Sequence, residues 1–311
     1  MKLSKKKEDN SQEKVKNNRI IKTIFKIIML IIFALIVIGI YYLIIMDRTS
    51  KPLIKEDMNY QIKIEEFNNR NVYVVSQKGE ENPSKVILYL HGGAYIEEMS
   101  PEYWYFVEKI VNETDSIIII PDYPLAPKYN YEDVFNMLEP LYNEIIKKVD
   151  LNNFILMGDS AGGGMALSLL EKVNEQNIDT PSETILISPW LDVSMENDKI
   201  DEVQKKDTML NKEVLKLAGI AYAKDINDIK SYLVSPIYGD LSKIKNVTIF
   251  TGTNDILNPD VHLLTEKAQE KGIIVKVNEY QDAKHIWIIM NNSDTTITNK
   301  AYEDLKIEIT Q

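Results

Sequence analysis

The sequence predicts an α/β fold with a mostly parallel central sheet, preceded by one membrane-spanning helix. The first observation is a series of short, uninterrupted apolar runs, such as VILYL at residues 86–90 and SIIII at residues 116–120. Runs without polar alternation are typical of strands that are buried on both faces of a sheet. The second observation is that segments of helical length separate several runs, and strands alternating with helices favour a parallel sheet.

The elements follow in chain order. Seven candidate strands lie at residues 71–76, 86–90, 116–120, 154–157, 184–187, 247–251 and 273–277. Helical patterns cover residues 102–112, 131–149, 161–174 and 260–271. Residues 192–238 interrupt this alternation of strands and helices, because they contain two helical patterns, at 212–222 and 226–232, and no convincing strand. An insertion of this length is either a lid or a structural excursion, and the pattern alone leaves both open.

Composition excludes several classes of protein. The chain has 311 residues, of which 44% are apolar and 27% charged, and it contains no cysteine. This is a globular composition, neither collagen-like nor disordered throughout. The absence of cysteine excludes thiolate catalysis, Cys-ligated zinc and iron–sulfur clusters.

Charge is distributed unevenly along the chain. Residues 1–26 hold nine basic and three acidic side chains, a local charge of +6, so the total of −11 leaves −17 for the remainder. An acidic body repels a phosphate backbone, and nucleic-acid binding is therefore not expected.

The N-terminal region carries the predicted membrane helix. Residues 27–46 (IIMLIIFALIVIGIYYLIIM) are uncharged and long enough to cross a hydrocarbon core of about 30 Å. The basic flank predicts a cytoplasmic N-terminus and a body on the extracytoplasmic side of the cell membrane. A cleaved signal peptide is the alternative, but residues 46–49 (MDRT) offer no small-x-small cleavage site. We therefore expect an uncleaved single-pass anchor at residues 20–46 after a basic cytoplasmic tail at residues 1–19.

A candidate nucleophile follows the strand at residues 154–157. The motif G-x-S-x-G stands between this strand and a helix, where small residues allow a sharp turn that exposes the serine hydroxyl. Its residues are Gly158, Asp159, Ser160, Ala161 and Gly162. A phosphate-binding loop is the alternative, but it would need a lysine after its glycines, and the sequence continues Gly163-Gly164-Met165. The motif therefore favours Ser160 as a nucleophile.

A second glycine-rich turn follows the strand at residues 86–90. It reads His91-Gly92-Gly93-Ala94-Tyr95. Small residues in such a turn direct backbone N–H groups into one space, which the oxygen of a tetrahedral intermediate can occupy. A plain tight turn is the alternative. However, a nucleophile turn such as G-x-S-x-G needs a second backbone N–H donor from the loop after an early strand, and this turn is in that place.

An activated serine needs a base, and the chain has three histidines. His91 lies within the glycine-rich turn, and His262 lies on the predicted helix at residues 260–271. His285 lies in a loop after the strand at residues 273–277, where it can reach over the serine. We therefore predict that His285 is the general base.

The base in turn needs a carboxylate to orient it. Asp255 comes directly after the strand at residues 247–251. Asp260 is its near competitor, but Asn258-Pro259-Asp260 is typical of a helix start, and its carboxylate is expected to cap that helix. The sequence therefore favours Asp255.

With these motifs the chain resembles the hormone-sensitive-lipase-like branch of the α/β-hydrolases, a family of esterases and lipases. The resemblance extends from about residue 86 to residue 287. It rests on HGGAY (91–95), PDYPLAP (121–127), GDSAGG (158–163), SPWLD (188–192) and GTNDIL (252–257). The chain order Ser160, Asp255, His285 is also that of the family.

The resemblance implies a serine carboxylesterase that acts on short-chain carboxylic esters and uses no metal or organic cofactor. By position it makes Ser160 the nucleophile, Asp255 the acid and His285 the base. The implied oxyanion donors are the backbone N–H groups of Gly93, Ala94 and Ala161, with His91, Gly92, Gly158, Asp159 and Gly162 as supporting motif residues. It also implies a hydrolase domain at residues 71–311 with a cap insertion at about 192–238, after a stalk and candidate cap helix at residues 47–70.

The chain departs from the family pattern at three places. Ala94 replaces the third glycine of HGGG, which is tolerable because the donor is backbone. Pro124 and Lys128 replace an Arg and a Glu, which puts a supporting salt bridge in doubt. Ile286-Trp287 replaces Gly-Phe after the histidine, which puts the acyl pocket in doubt.

Two other functions use the same fold. An amidase or peptidase has the same catalytic residues, and a non-catalytic homologue binds a ligand without turnover. Five aromatic residues near the motifs are candidates to line an apolar pocket: Tyr95, Tyr103, Trp104, Tyr105 and Trp190.

Overall fold

The computed structural model describes residues 21–39, 48–52, 59–80, 83–291 and 293–311. The chain divides into two compact units, Met1–Met46 and Asp47–Gln311. In the first unit, helix α1 (Ile21–Gly39) is long and apolar enough to cross a membrane, and its side chains are exposed. A signal sequence has the same properties. The predicted tail at residues 1–19 and the end of the apolar run at residues 40–46 lie outside the described residues.

The second unit is built around one sheet, in which the described residues form eight strands in the order β1-β2-β4-β3-β5-β6-β7-β8. Strands β3 to β8 run parallel, and β1 and β2 pair antiparallel at one edge. The strands are β1 (Tyr60–Phe67), β2 (Arg70–Gln77), β3 (Lys85–Leu90), β4 (Ser116–Pro121), β5 (Phe154–Asp159), β6 (Glu183–Ile187), β7 (Val247–Gly252) and β8 (Lys276–Tyr280). The predicted mostly parallel α/β class is confirmed.

Helices cover both faces of the sheet. They are α2 (Pro101–Thr114), α3 (Tyr131–Ile146), α4 (Ser160–Glu175), α5 (Ile200–Val203), α6 (Lys212–Ala223), α7 (Asn258–Glu270), α8 (Trp287–Met290) and α9 (Thr295–Thr310). One core lies against α3, α4, α6 and α7, and the other against α2, α8 and α9. Alternate residues of β3 serve the two cores, since Leu88 belongs to the first and Ile87 to the second. Burial on both faces explains why this strand reads as an uninterrupted apolar run.

Three elements differ from the sequence-based predictions. Residues 60–67, expected in a stalk or cap helix, form β1, whose side chains are mostly exposed and therefore give a weak apolar signal. The last strand is β8, three residues later than the predicted strand at 273–277, because Ile274 is exposed in the preceding turn. The helical pattern at residues 226–232 yields only a single 3₁₀ turn at Ile226–Asp228.

The insertion at residues 192–238 contains α5, α6 and two 3₁₀ turns, and no strand. Helix α6 begins where the side chain of Asn211 accepts hydrogen bonds from the N–H groups of Glu213 and Val214. Leu215 and Tyr222 of α6 pack into the core of the sheet domain. The insertion is therefore an integral part of the second unit.

Candidate active site

A sharp turn joins β5 to α4 and carries Ser160. This residue begins α4 with φ of +50°, in the left-handed region that non-glycine residues avoid. A Cβ on Gly158 would overlap the carbonyl oxygen of Gly162, and a Cβ on Gly162 would overlap that of Leu90. The two glycines of G-x-S-x-G are therefore required by packing, and they allow the turn that presents the serine.

The structure brings Ser160, Asp255 and His285 together from three separate loops. His285 Nε2 lies 2.9 Å from Ser160 Oγ, and His285 Nδ1 lies 2.9 Å from Asp255 Oδ2. Exposed fractions are 6% for Ser160, 2% for His285 and 0% for Asp255, so bulk water does not compete for these bonds. The other oxygen of Asp255, Oδ1, accepts a hydrogen bond of 2.9 Å from the N–H of Leu257, which fixes the carboxylate.

Asp255 determines the state of the imidazole. A carboxylate only accepts hydrogen bonds, so the proton of His285 is on Nδ1, and Nε2 is left to accept the serine hydroxyl proton. Burial by itself lowers the pKa of His285, but the negative charge and hydrogen bond of Asp255 outweigh it. The pKa of His285 is therefore raised above its ordinary value, with smaller contributions from Asp207 and Asp159. A proton taken up from Ser160 is held more strongly than by a free imidazole.

The glycine-rich turn after β3 lies beside Ser160. Gly93 has φ of +107° and Ala94 has φ of +51°. Neither the Gly93 nor the Ala94 N–H donates to another of the described residues. Ala161 lies in the first turn of α4, where backbone N–H groups have no acceptor four residues earlier in the helix. The three predicted oxyanion donors are thus held at the ends of β3 and β5.

Asp159 ties this turn to the serine turn. It is fully buried, and its Oδ1 accepts hydrogen bonds from the Gly92 N–H at 3.0 Å and the Tyr89 hydroxyl at 2.6 Å. Its Oδ2 accepts from the Tyr103 hydroxyl at 2.8 Å. Burial raises the pKa of Asp159 to about 6, although these hydrogen bonds oppose the shift. Sequence reasoning did not identify Tyr89 and named Tyr103 only as a pocket candidate, because both hydroxyls meet Asp159 only in the folded structure.

The other two histidines lie in different environments. His91 is buried and stacks on Tyr123 with ring centroids 4.4 Å apart, and its Nδ1 lies 2.7 Å from the carbonyl oxygen of Gly92. Burial lowers the pKa of His91 to about 4, so the ring is neutral at neutral pH. His262 is exposed on α7, and its Nε2 lies 2.7 Å from Glu279. Neither contacts Ser160.

Asp260 does not cap a helix, contrary to the sequence-based prediction. It lies inside the first turn of α7 without bonding the helix N-terminus, and its Oδ1 accepts a 2.8 Å hydrogen bond from the side-chain amide of Asn197. Burial raises the pKa of Asp260 to about 7. The reason is a tertiary contact: the side chain of Asn197, in the insertion, lies at the start of α7 and binds the Asp260 carboxylate.

A cavity of about 410 Å³ opens beside Ser160 and His285. Its wall on the insertion side is apolar and includes Met209, Leu210, Val214, Leu215 and Ala218. Ile286, which departs from the family pattern, and Met290 line it as well. Within the described ranges, no group of three or more Asp, Glu or His side chains is arranged to hold a metal ion.

Only one of the five candidate aromatic residues, Tyr103, lines this cavity. Tyr95 is buried between Trp190 and Tyr222, with ring centroids 5.2 Å and 3.7 Å away, so it joins the insertion to the sheet domain. Trp104 is buried in the core on the other face of the sheet. Tyr105, the fifth candidate, is half-exposed on α2.

Two residues that sequence reasoning missed hold the loops of the site. Ser188 Oγ accepts a hydrogen bond of 3.1 Å from the N–H of Ile286, next to His285. Asp207, in the insertion, accepts a hydrogen bond of 3.0 Å from the N–H of Ile256, next to Asp255. Ser188 stands in the SPWLD motif and could have been suspected, whereas nothing in the sequence marks Asp207.

The family of the chain follows from a comparison with known sequences. The sequence model of the alpha/beta hydrolase fold family matches residues 87–289. The chain belongs to the α/β-hydrolase fold family. The match covers most of β3 and all of β4 to β8 of this α/β-hydrolase, and it includes Ser160, Asp255 and His285. The predicted family is therefore confirmed.

Relatives of this α/β-hydrolase include enzymes with named activities. An esterase from Acinetobacter venetianus is 27% identical over 204 residues, which are 65% of this chain and 67% of that protein. The structure of a candidate esterase from Staphylococcus aureus has a TM-score of 0.78 at 23% identity, and the match covers 85% and 88% of the two chains. An esterase from the bacterial hormone-sensitive lipase family has a TM-score of 0.73 at 23% identity, over 82% and 87%. These likenesses agree with the fold.

Proposed function

We propose that this α/β-hydrolase is a serine carboxylesterase that hydrolyses short-chain carboxylic esters, with Ser160 as nucleophile, His285 as general base and Asp255 as the acid. The observation that carries the proposal is the hydrogen-bonded chain from Ser160 Oγ through His285 to Asp255, beside an apolar cavity. The named activity of the Acinetobacter venetianus relative, an esterase, supports the same reaction class.

The reaction proceeds by two acyl transfers. Ser160 Oγ attacks the ester carbonyl carbon while its proton passes to His285 Nε2, and a tetrahedral intermediate forms. The carbon–oxygen bond to the alcohol then breaks, and the alcohol leaves with the proton from His285. A water molecule gives its proton to His285 and attacks the acyl-enzyme. Collapse of the second intermediate releases the carboxylic acid and returns the proton to Ser160.

The oxyanion donors proposed are the N–H groups of Gly93, Ala94 and Ala161. Among the described residues no group accepts a hydrogen bond from the Gly93 or Ala94 N–H, so both can bind the negative oxygen. The N-terminus of α4 adds a favourable dipole. Asp159 maintains the turn through the Gly92 N–H. Because all three donors are backbone groups, Ala94 serves as well as the family's glycine.

The insertion at residues 192–238 is proposed to be the cap of the hydrolase domain at residues 71–311. The apolar wall that α6 and its preceding loop give to the cavity supports this role. The volume of about 410 Å³ lies at the lower end of the range of ligand sites, which agrees with small acyl and alcohol groups. A profile of activity against p-nitrophenyl esters from acetyl to dodecanoyl tests the preference, and a maximum at long chains would contradict it.

The chain is proposed to be anchored in the cell membrane by residues 20–46, with the hydrolase domain outside. The length and apolar surface of α1 and the basic flank before it support the anchor. The test is N-terminal sequencing of the protein purified from membranes. Loss of residues 1–46 from the mature protein would instead indicate a cleaved signal sequence.

Covalent labelling with a fluorophosphonate tests the enzyme proposal directly. The full-length protein in detergent should be labelled at Ser160, identified by peptide mass spectrometry, and should hydrolyse p-nitrophenyl butyrate. Absence of both labelling and hydrolysis would favour a ligand-binding homologue. Faster cleavage of a matched anilide than of the ester would favour an amidase or peptidase.

A further inference from the structure

Asp207 links the insertion to the loop that carries Asp255. It lies between α5 and α6, and only 8% of it is exposed. Its Oδ1 accepts hydrogen bonds from the N–H groups of Met209 at 2.8 Å and Leu210 at 2.9 Å. Its Oδ2 accepts a hydrogen bond of 3.0 Å from the N–H of Ile256. One carboxylate thus accepts hydrogen bonds from its own loop and from Ile256, which is 49 residues further along the chain.

Both segments belong to the site. Met209 and Leu210 line the cavity beside Ser160. Ile256 lies between Asp255, which binds His285, and Leu257, whose N–H fixes the other oxygen of Asp255. The bond from Asp207 therefore anchors the short stretch of backbone on which the orientation of Asp255 depends.

The charge of Asp207 also acts on the imidazole. Among the described residues, Asp207 forms no ion pair with a lysine or arginine that would neutralise it. The largest charge effects on His285 come from Asp255, Asp207 and Asp159, in that order, and all three are acidic. Each therefore favours the imidazolium that forms when Ser160 gives up its proton.

We propose that Asp207 is a positioning residue of this active site: it fastens the cavity wall to the Asp255 loop, orients Asp255 toward His285 and adds negative charge that stabilises the imidazolium. This inference rests on the proposed esterase function. If it is correct, one residue of the insertion affects both the chemical step, through Asp255 and His285, and the cavity wall that contacts the substrate.

The test separates the charge of Asp207 from its hydrogen bonds. Asp207→Asn keeps the size of the side chain but loses the charge and presents an NH₂ group to backbone donors. Asp207→Glu keeps the charge but changes its reach. Both are made in the full-length protein in detergent, and kcat and KM for p-nitrophenyl butyrate are measured between pH 5 and pH 9, about the range over which His titrates.

Two results are expected for Asp207→Asn. The value of kcat falls roughly tenfold or more, because hydrogen bonds to a charged group are stronger than neutral ones. The pH profile of kcat/KM has an acidic limb, which reports protonation of the His285 imidazole in the free enzyme. This limb moves to lower pH by on the order of 0.5 unit, because a nearby negative charge is lost. In Asp207→Glu the limb stays at the wild-type position while kcat falls.

Asp192→Asn is the matched control. Asp192 is a buried carboxylate of the same insertion, with Oδ1 accepting from the Ser194 N–H at 2.8 Å and Oδ2 from the Tyr238 hydroxyl at 2.8 Å. It makes no hydrogen bond to the Asp255 loop. We expect the wild-type limb in this variant and kcat within about threefold of wild type.

The outcomes distinguish this inference from the proposed function. The esterase proposal is supported if the wild type hydrolyses the ester and Ser160→Ala does not. If folded Asp207→Asn then keeps both the wild-type kcat and the wild-type acidic limb, the role proposed for Asp207 is wrong and the esterase proposal stands. An equal shift of the limb in Asp207→Glu or Asp192→Asn would also overturn it, because charge at Asp207 would not be the cause. If Asp207→Asn does not fold, kcat of Asp207→Glu decides: a fall larger than that of Asp192→Asn supports the positioning role, and a value equal to that of the control overturns it.

Discussion

The two ends of α4 are built in opposite ways. At its N-terminal end, Ser160 has a strained backbone, yet the buried carboxylate of Asp159 beside it accepts three hydrogen bonds. Toward its C-terminal end, Glu171 is only 4% exposed, and neither of its carboxylate oxygens has a hydrogen-bond partner among the residues that the structure describes. Burial, and secondarily the charge of Asp240, raise the pKa of Glu171 well above its ordinary value.

The comparison separates backbone strain that serves the active site from a buried carboxyl that only lowers the stability of the fold. Strain at Ser160 is compensated by a hydrogen-bonded network that links β3, α2 and β5, so the proposed nucleophile is held in one position. The carboxyl of Glu171 has no such compensation among the described residues, and burial without a partner disfavours its charged form. Changes at the first end should therefore alter activity, and changes at the second should alter stability alone.

The largest expected effect is that of Ser160→Ala. If Ser160 is the nucleophile, kcat/KM for p-nitrophenyl butyrate falls by roughly 10⁴-fold or more, with little change in the thermal unfolding midpoint. Ser168→Ala is the control, since it removes a buried hydroxyl of the same helix that bonds the Tyr232 carbonyl oxygen. Full activity in Ser160→Ala would exclude the proposed mechanism.

Asp255→Asn should come next. The amide cannot hold the imidazole in the same tautomer, and we expect kcat to fall roughly 10³- to 10⁴-fold. Loss of the Asp255 charge also lowers the pKa of His285, so the remaining activity should extend to lower pH. Asp260→Asn tests the competing carboxylate and should keep most of the activity. The reverse pattern would assign the acid role to Asp260.

Gly162→Ala should unfold the serine turn. The new Cβ would overlap the backbone carbonyl oxygens of Leu90 and His91, which cannot move without displacing β3. We expect a loss of about 3 kcal/mol or more in the free energy of unfolding, measured by urea denaturation. Gly79→Ala is the control, since Gly79 has φ of +82° but open space around it, and should cost about 1 kcal/mol.

The smallest effect is expected at the other end of α4. The folded-state pKa of Glu171 is raised, so between its unfolded value and the folded one the native state binds more protons, and stability falls as pH rises. Glu171→Gln is neutral in both states. It should therefore be more stable than wild type at pH 8 by about 1 kcal/mol or more and nearly equal at pH 4. Activity should not change.

Glu175→Gln is the matched control for that experiment. Glu175 is exposed one turn further along α4, where it accepts a hydrogen bond of 2.7 Å from the Tyr232 hydroxyl. Its replacement should not stabilise the protein at pH 8. Equal stabilisation by both variants would mean that general acidity of this surface, and not the isolated carboxyl of Glu171, limits stability.

Most of the sheet could be predicted because its strands are buried on both faces. Uninterrupted apolar runs marked β3 to β7 within one or two residues at each end. Strand β1 could not be found in this way, since YQIKIEEF has one buried residue and an exposed face. Helix α9 (Thr295–Thr310) was missed as well, because its buried face is a narrow stripe (Thr298, Ala301, Tyr302, Leu305 and Ile309) on an otherwise mostly polar helix.

The site shows the same division. Local sequence selected Ser160, Asp255 and His285, because each follows a strand and the histidines are few. It misassigned Asp260, whose partner Asn197 is 63 residues away, and it did not indicate Asp207. Four of the five aromatic residues suggested for the pocket proved to lie in the cores or on α2, because residue type does not specify the direction of a side chain.

The sequence by itself determined the strands from β3 to β7, the G-x-S-x-G turn and the apolar N-terminal segment. Each of these depends on neighbours within a few residues, through backbone conformation, burial period or steric size. Only the tertiary structure decided how Asp159 and Asp207 join separate loops, that Asp260 binds Asn197, and that Glu171 has no hydrogen-bond partner among the described residues. Those contacts depend on segments that are distant in the chain and meet only when both helix layers close over the sheet.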